Sequence, residues 1–184
     1  MLNYKQMPNQ TLQSNVIYSG KIVTLTEELV ELENGSQSMR ELVSHRPVVA
    51  AVPVTANREI ILVSQFRHPM KQHLLEIPAG GLNPNESPLD GAKRELLEET
   101  GIQAETWSDI ASCYPSPGFC DEYIYIYLAT NLSQQPPNPD DDEFITVQHI
   151  PIDQVSDLIA SKKIIDAKTI IGCLHVLHID KLNA

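Results

Sequence analysis

Three glutamates, Glu95, Glu98 and Glu99, lie close together in the sequence and have a spacing suited to binding a metal ion. At positions i, i+3 and i+4 of a helix, their side chains share one side. Carboxylate oxygens are ligands that Mg²⁺ and Mn²⁺ prefer in proteins. A divalent cation held there could neutralise a phosphate ester and activate water for hydrolysis. The alternative interpretation is an acidic helix face that is simply exposed to solvent.

The flanking residues predict the helix that carries these glutamates. Ser87 suits the N-cap, Pro88 the first helical position, and Gly101 the C-terminal stop. Acidic side chains in the last two turns oppose the helix macrodipole, at a cost of about 0.3–1 kcal/mol each. A helix that breaks local rules without a structural gain indicates a functional role.

The other residues of this helix offer little compensation for the acidic charge. Leu89, Ala92 and Leu96 recur at helical spacing and predict a buried apolar face. Arg94 lies four residues before Glu98, which is the weaker orientation for an ion pair within a helix. A bound cation is therefore the simplest compensation.

The segment from Gly80 to Ile102 matches the pattern G-x5-E-x7-R-E-U-x-E-E-x-G-U, in which U is a bulky apolar residue. The fixed positions are Gly80, Glu86, Arg94, Glu95, Leu96, Glu98, Glu99, Gly101 and Ile102. This motif is the signature of the Nudix hydrolases, and the chain closely resembles that family. The resemblance implies an α/β/α sandwich that hydrolyses a diphosphate linkage with Mg²⁺, for which Mn²⁺ can substitute.

The resemblance also implies roles for individual residues. The metal ligands would be Glu95, Glu99 and the backbone carbonyl of Ala79. Glu98 would be a further ligand or a carboxylate that supports the ligands, and it is a candidate catalytic residue. Arg94, a second catalytic candidate, would orient the glutamates through charge-assisted hydrogen bonds.

Features outside the motif resemble the ADP-ribose pyrophosphatases within this family. Pro117 follows Ile102 by fifteen residues, and the segments 65–67, 75–80 and 165–169 are similar to those of that subfamily. The implied reaction is cleavage of ADP-ribose into AMP and ribose 5-phosphate. The implied substrate-binding residues are Arg67, Arg40, Glu76, Pro117 and Gly118. For the two arginines the alternative is a solvent-exposed side chain, and Glu76 could instead touch the metal or simply end a strand.

The catalytic base is sought in the acidic segment Asp140-Asp141-Asp142-Glu143. A base must reach the attacking water by a hydrogen bond. The resemblance favours Glu143, because it directly precedes the phenylalanine that starts the next strand. The three aspartates remain candidates for the base. The alternative is that all four acidic residues only solvate an exposed loop.

Composition limits the partners and the location. The chain has 184 residues, 42% of them hydrophobic and 20% charged, with a net charge of −11. This excess of acid argues against binding to nucleic acid or to an anionic membrane surface. The N-terminal residues lack a signal-peptide pattern, and Cys113, Cys120 and Cys173 have no zinc-ligand spacing. A reducing cytoplasm is the expected location.

The order of predicted elements indicates an α/β fold. β-rich runs from Asn15 to His45, with a turn at Asn34-Gly35, predict a small antiparallel module, residues 1–45. Residues 46–184 would form the Nudix domain. Strands are predicted at Val48–Val54, Ile60–Phe66, Leu74–Ile77, Thr106–Tyr114, Tyr123–Ala129 and Phe144–Ile150, and helices from caps at Asp153 to Ala160 and at Asp166 to His178.

The resemblance further implies a homodimer in which the N-terminal modules cover the partner's site. Two rival functions stay open. The first is hydrolysis of another ADP-sugar or of GDP-mannose. The second is a regulatory module that binds ADP-ribose without cutting it; such modules usually accompany a DNA-binding region and often lose motif glutamates.

Overall fold

The computed structural model describes residues 9–135 and 145–182, which belong to two compact units. The first unit extends to Arg46 and also includes Ser116–Glu122. The second comprises Pro47–Pro115 and the chain from Tyr123 onwards. The domain boundary between residues 45 and 46 stays a prediction.

The first unit is an antiparallel sheet in the order β1-β2-β3, formed by β1 (Gln10–Ser19), β2 (Val23–Glu31) and β3 (Gln37–His45). The predicted Asn34-Gly35 turn joins β2 to β3, and Gly35 has the positive φ of 77° that glycine tolerates. Strand β1 begins at Gln10 rather than Asn15, because β2 is long enough to pair with Gln10 through Glu31.

The second unit contains two sheets. Strand β5 (Glu59–Arg67) pairs antiparallel with β6 (Gln72–Glu76) and with β10 (Ile145–Pro151). The other sheet has the order β7-β4-β9-β8, built from β4 (Val48–Pro53), β7 (Ala79–Gly81), β8 (Ile102–Cys113) and β9 (Ile124–Gln134). Strands β4 and β9 are parallel, and the other pairs are antiparallel. Strands β8 and β9 are longer than predicted because they pair with each other along their whole length.

The helices of the second unit are α1 (Pro88–Thr100), α2 (Ile152–Ala160) and α3 (Ala167–Leu182). Asp166 caps α3 as predicted, since its carboxylate accepts a hydrogen bond from the Thr169 amide at 3.0 Å. The predicted cap at Asp153 is wrong: Pro151 holds the N-cap position of α2, which has no side-chain cap bond. Asp153 lies in the first turn instead, where its charge still complements the macrodipole.

Helices cover both faces of the four-stranded sheet. Successive residues of a strand point to opposite faces. On β4, Ala51 packs in a cluster with Leu96 of α1, whereas its neighbours Ala50 and Val52 pack in a cluster with Cys173 of α3. The α/β fold, with helices on either side of a sheet and a separate antiparallel N-terminal sheet, is therefore confirmed. Among the described helices, none is long and apolar enough to cross a membrane.

Candidate active site

Helix α1 begins and ends where its capping residues predict. The Ser87 hydroxyl accepts a hydrogen bond from the Asp90 amide at 3.2 Å, and Pro88 follows the cap. Gly101 ends the helix with a φ of 69°, and its amide donates to Leu97 O at 2.8 Å. Of the predicted apolar face, Ala92 and Leu96 are fully buried on the core side, whereas Leu89 is half-buried. This side fixes the rotation of the helix, and with it the direction in which the glutamates point.

Two of the glutamates meet the backbone of β7. The Ala79 amide donates a hydrogen bond to Glu99 Oε2 at 3.3 Å, and Glu99 is only 5% exposed. The Glu95 carboxylate lies against Gly80 so closely that a β-carbon at this position would overlap it. Gly80 is thus needed for the close approach of this carboxylate to the strand.

Arg94 joins three glutamates. Its guanidinium binds both oxygens of Glu86, each at 2.9 Å, and donates to Glu95 at 2.6 Å and to Glu98 at 2.9 Å. A further bond reaches Gly81 O at 3.2 Å. The pairing of Arg94 with Glu98, which the sequence indicates, is therefore only one of the contacts that compensate the charges. The contacts of Arg94 with Glu86 and Gly81 cannot be predicted from helical spacing.

These contacts set the ionisation of the group. Hydrogen bonds from Arg94 lower the pKa of Glu86 to about 2, outweighing the opposite effect of burial. The hydrogen bond to Glu86 is also the main cause that raises the pKa of Arg94. At neutral pH Glu86 and Arg94 are therefore both charged.

The chemistry of the donors suits a hard divalent cation. Glu95 and Glu99 approach Ala79-Gly80 from the helix, so that carboxylate oxygens, which such a cation prefers as ligands, lie beside this strand. As they stand, no three His, Cys, Asp or Glu side chains in the described part of the chain converge closely enough to hold a metal. Arg94 bonds to two of the glutamates, and a cation would compete with it for them.

Arg67 and Glu76 form a second charged group next to this one. Arg67 Nε and Nη2 donate to the two oxygens of Glu76 at 2.7 and 2.9 Å. Burial opposes the charged form of Glu76, but Arg67 and Lys168 outweigh it and hold the pKa of Glu76 below its usual value. The bond to Glu76, and to a smaller extent the charge of Glu99, raises the pKa of Arg67.

Three residues at the start of α3 complete this second group; the sequence analysis predicted Asp166 as a helix cap and gave none of the three a role in the site. Lys168 Nζ forms ion pairs with Glu76 and, at 3.1 Å, with Asp166. The Thr169 hydroxyl donates to Asp166 at 2.6 Å and accepts from the Ile77 amide at 2.9 Å. The sequence contained one sign of a role for Lys168. A lysine in the first turn of a helix opposes the macrodipole, just as the glutamates in the last turns of α1 do.

Comparisons with known proteins identify the family of the chain. A profile described as the NUDIX domain matches residues 44–171. The chain belongs to the Nudix family. It is 41% identical over 167 residues to the ADP-ribose pyrophosphatase of Bacillus subtilis (strain 168), with 90% of each chain covered. It is 39% identical over 170 residues to the methanol dehydrogenase activator of Bacillus methanolicus, covering 91% of this chain and 92% of that protein.

A solved structure titled ADP compounds hydrolase has the same fold. Its TM-score is 0.89 at 20% sequence identity, and 98% of both chains are covered. The Nudix motif, residues 80–102, corresponds in this chain to β7, α1 and the first residue of β8.

The remaining candidate residues of this Nudix chain are distributed differently. Arg40, Pro117 and Gly118 belong to the first unit and are exposed. The Arg40 guanidinium donates to Ser38 Oγ at 2.6 Å and to Met39 O at 3.0 Å. Glu143 and the aspartates before it lie outside the described residues. The structure thus brings together Ala79, Arg94, Glu95, Glu98 and Glu99, and separately pairs Arg67 with Glu76.

Proposed function

We propose that this Nudix hydrolase cleaves the diphosphate of ADP-ribose, giving AMP and ribose 5-phosphate, with Mg²⁺ as its metal and Mn²⁺ as a substitute. The observation that carries the proposal is the approach of Glu95 and Glu99 to Ala79-Gly80, in a chain that is 41% identical to an ADP-ribose pyrophosphatase over 167 residues. Identity that extends over 90% of each chain supports a shared substrate as well as a shared fold.

The proposed metal ligands are Glu95, Glu99 and the carbonyl of Ala79, with Glu98 as a further ligand or a support. When bound, a divalent cation neutralises the diphosphate and makes the attacking water more acidic. Arg94 would hold Glu95 and Glu98 in place through the bonds described above. Glu143 would take the proton from the water.

Arg67 is the proposed contact for the diphosphate. Two of its nitrogens are held by Glu76, and its side chain is 35% exposed, so the remaining edge of the guanidinium can meet a ligand. A planar fork of N–H groups suits phosphate oxygens. Glu76 itself is almost fully buried and paired with two cations, which favours a supporting role over direct contact with substrate. Arg40, Pro117 and Gly118 stay proposed as substrate contacts, on the resemblance alone.

The direct test is to incubate the pure protein with Mg²⁺ and ADP-ribose and to measure AMP and ribose 5-phosphate. GDP-mannose and other ADP-sugars in the same assay would reveal a different preferred substrate. A Glu99→Gln variant controls for contaminating enzymes. If ADP-ribose binds but no AMP is released by the wild type, the regulatory-module alternative replaces hydrolysis.

A second candidate function is activation of another enzyme. It is favoured by the 39% identity to the methanol dehydrogenase activator. Addition of this chain to a purified methanol dehydrogenase, followed by measurement of alcohol oxidation, would test it. Stimulation by the wild type but not by Glu99→Gln would mean that activation depends on the same site.

We also propose a homodimer formed through the N-terminal module. Every residue of β1 is exposed, and Val16 at 65%, Ile17 at 57% and Tyr18 at 59% place apolar surface in contact with solvent. Exposed apolar patches of this kind mark interaction surfaces. Light scattering should give the mass of a dimer for the wild type and of a monomer for Val16→Glu, with Gln13→Glu as the control on the same strand. A monomeric wild type would refute the dimer.

The cytoplasm is the proposed location. Cys120 and Cys173 are free thiols, as expected in a reducing compartment. The thiol of Cys173 is fully buried, and burial is the main cause that raises its pKa to about 12.

A further inference from the structure

A buried cation at the start of α3 has no role in the reaction described so far. The Lys168 side chain is 10% exposed, and its ammonium lies between the carboxylates of Glu76 and Asp166. Glu76 comes from the end of β6 and is bound on its other side by Arg67, at the end of β5. A continuous chain of charged contacts therefore runs from α3 through Glu76 to the guanidinium proposed to bind substrate.

Stability alone is a weak explanation for a lysine here. A buried ion pair often contributes no more stability than apolar side chains of similar size. The position is also unfavourable for a cation, since it lies in the first turn of a helix. An apolar residue facing β6 would avoid both costs. The presence of a lysine points to a requirement that packing does not meet.

The contacts of the Glu76 carboxylate indicate that the lysine serves to hold this carboxylate in place. Arg67 Nη2 and Lys168 Nζ share one oxygen of Glu76, and Arg67 Nε takes the other. Without Lys168, Arg67 alone would hold this carboxylate, and the two side chains could turn together. Lys168, which is itself bound to Asp166, holds the Glu76 carboxylate through a second cation and so restricts the rotation of its plane.

The other end of the network is equally constrained. Thr169 donates to Asp166 through both its hydroxyl and its amide, at 2.6 and 3.0 Å. Within the described residues, Nη1 of Arg67 forms no hydrogen bond or ion pair. The bonds of Nε and Nη2 to Glu76 hold the guanidinium in place, so Nη1 is available to a ligand.

We propose that Lys168 is a positioning residue for substrate binding: it fixes the Glu76 carboxylate, which in turn presents the outer edge of Arg67 to the diphosphate of ADP-ribose. This role rests on the proposed function. Lys168 does not touch the substrate and acts only through Glu76 and Arg67.

The test is a double-mutant cycle between Lys168 and Arg67, which are linked through the Glu76 carboxylate. Binding of ADP-ribose is measured by calorimetry in EDTA, so that metal binding and turnover do not contribute. Lys168→Met should weaken binding about tenfold in the wild-type background and have little effect when Arg67→Met is already present. Lys163→Met, which removes the same charge from an exposed position nearby, is the matched control and should bind normally.

Steady-state kinetics with Mg²⁺ give the second measurement. Lys168→Met should raise KM about tenfold and leave kcat within about twofold, because the interaction serves binding rather than the chemical step. If Lys168→Met does not fold, Asp166→Asn is used instead. Asparagine keeps the helix cap but removes the charge that holds Lys168, and a loss of about threefold in affinity is expected.

The outcomes separate the two proposals. A wild type that releases no AMP would refute the proposed function, and the role of Lys168 with it. A wild type that hydrolyses ADP-ribose, combined with unchanged binding and KM in Lys168→Met, would overturn only the positioning role. Losses from Lys168→Met and Arg67→Met that add independently would also overturn it, because the lysine would then act by another route.

Discussion

Replacement of Gly80 by alanine should disable the metal site while leaving the fold intact. A β-carbon at Gly80 would overlap the carboxyl carbon and both oxygens of Glu95. Gly80 lies in β7, opposite Val49 of β4, and it is not among the glycines with positive φ. Alanine therefore fits the backbone, and the flexible end of Glu95 must move away.

The expected magnitudes differ for stability and for metal binding. Displacement of Glu95 breaks its 2.6 Å charged hydrogen bond to Arg94, which costs about 1.5–3 kcal/mol. Removal of a glycine from a strand stabilises the fold by about 0.5–1 kcal/mol, so the net loss of stability should be about 0.5–2.5 kcal/mol. Loss of one correctly placed ligand should weaken metal affinity about 10–100-fold, which corresponds to about 1.4–2.8 kcal/mol.

The assay combines calorimetric titration with Mn²⁺ and urea unfolding in EDTA. Gly172→Ala is the matched control, because its methyl group would lie 2.7 Å from Val52 Cγ2 in the core. Overpacking there should lower the free energy of unfolding by about 1–3 kcal/mol and leave Mn²⁺ affinity unchanged. Wild-type Mn²⁺ affinity in Gly80→Ala would refute the assignment of Glu95 as a ligand.

Three further substitutions test other parts of the site. Glu99→Gln retains an acceptor for the Ala79 amide and so should keep the fold, but it should weaken Mg²⁺ binding about 10–100-fold by calorimetry. Glu143→Gln should lower kcat by about 10²–10⁴-fold with little change in metal binding, as for a positioned base. Glu86→Gln should destabilise the protein at neutral pH, and thermal unfolding should show this difference shrinking as the pH falls from 4.5 to about 2.

The sign of the pH effect follows from the direction of the pKa shift. The pKa of Glu86 is lower in the folded protein than its ordinary value of 4.5, so folding favours the ionised form. Its contribution is therefore complete above 4.5 and is lost in acid. A wild-type-to-variant difference that stayed constant down to pH 2 would contradict this account. Unchanged Mg²⁺ dependence in Glu99→Gln, or normal turnover in Glu143→Gln, would remove those residues from the mechanism.

The sequence predicted the elements that depend on local signals. The caps of α1 at Ser87 and Gly101 lie where the residue types require them, and the apolar positions Ala92 and Leu96 are buried. The Asp166 cap of α3 is confirmed for the same reason. At α2 the local signal was misleading, because Pro151 precedes the helix and takes the position expected for Asp153.

Contacts between distant residues could not be predicted in this way. Lys168 and Glu76 are 92 positions apart, and their pairing depends on where α3 packs against β6. The bidentate pair of Arg94 and Glu86 likewise requires the chain to fold back before α1. For Lys168, the position of a cation in the first turn of a helix was a sign in the sequence that a partner existed.

The connection from β6 to β7 is tied to both neighbouring helices through its main chain. The Ile77 N–H donates a hydrogen bond to the neutral hydroxyl of Thr169 in α3, and the Ala79 N–H donates to the carboxylate of Glu99 in α1. Amide hydrogen exchange at these two positions would therefore report on the two helices separately. Only the Ala79 amide is bonded to a proposed metal ligand, Glu99. Its exchange rate should therefore respond to metal binding, and the exchange rate of the Ile77 amide serves as the reference.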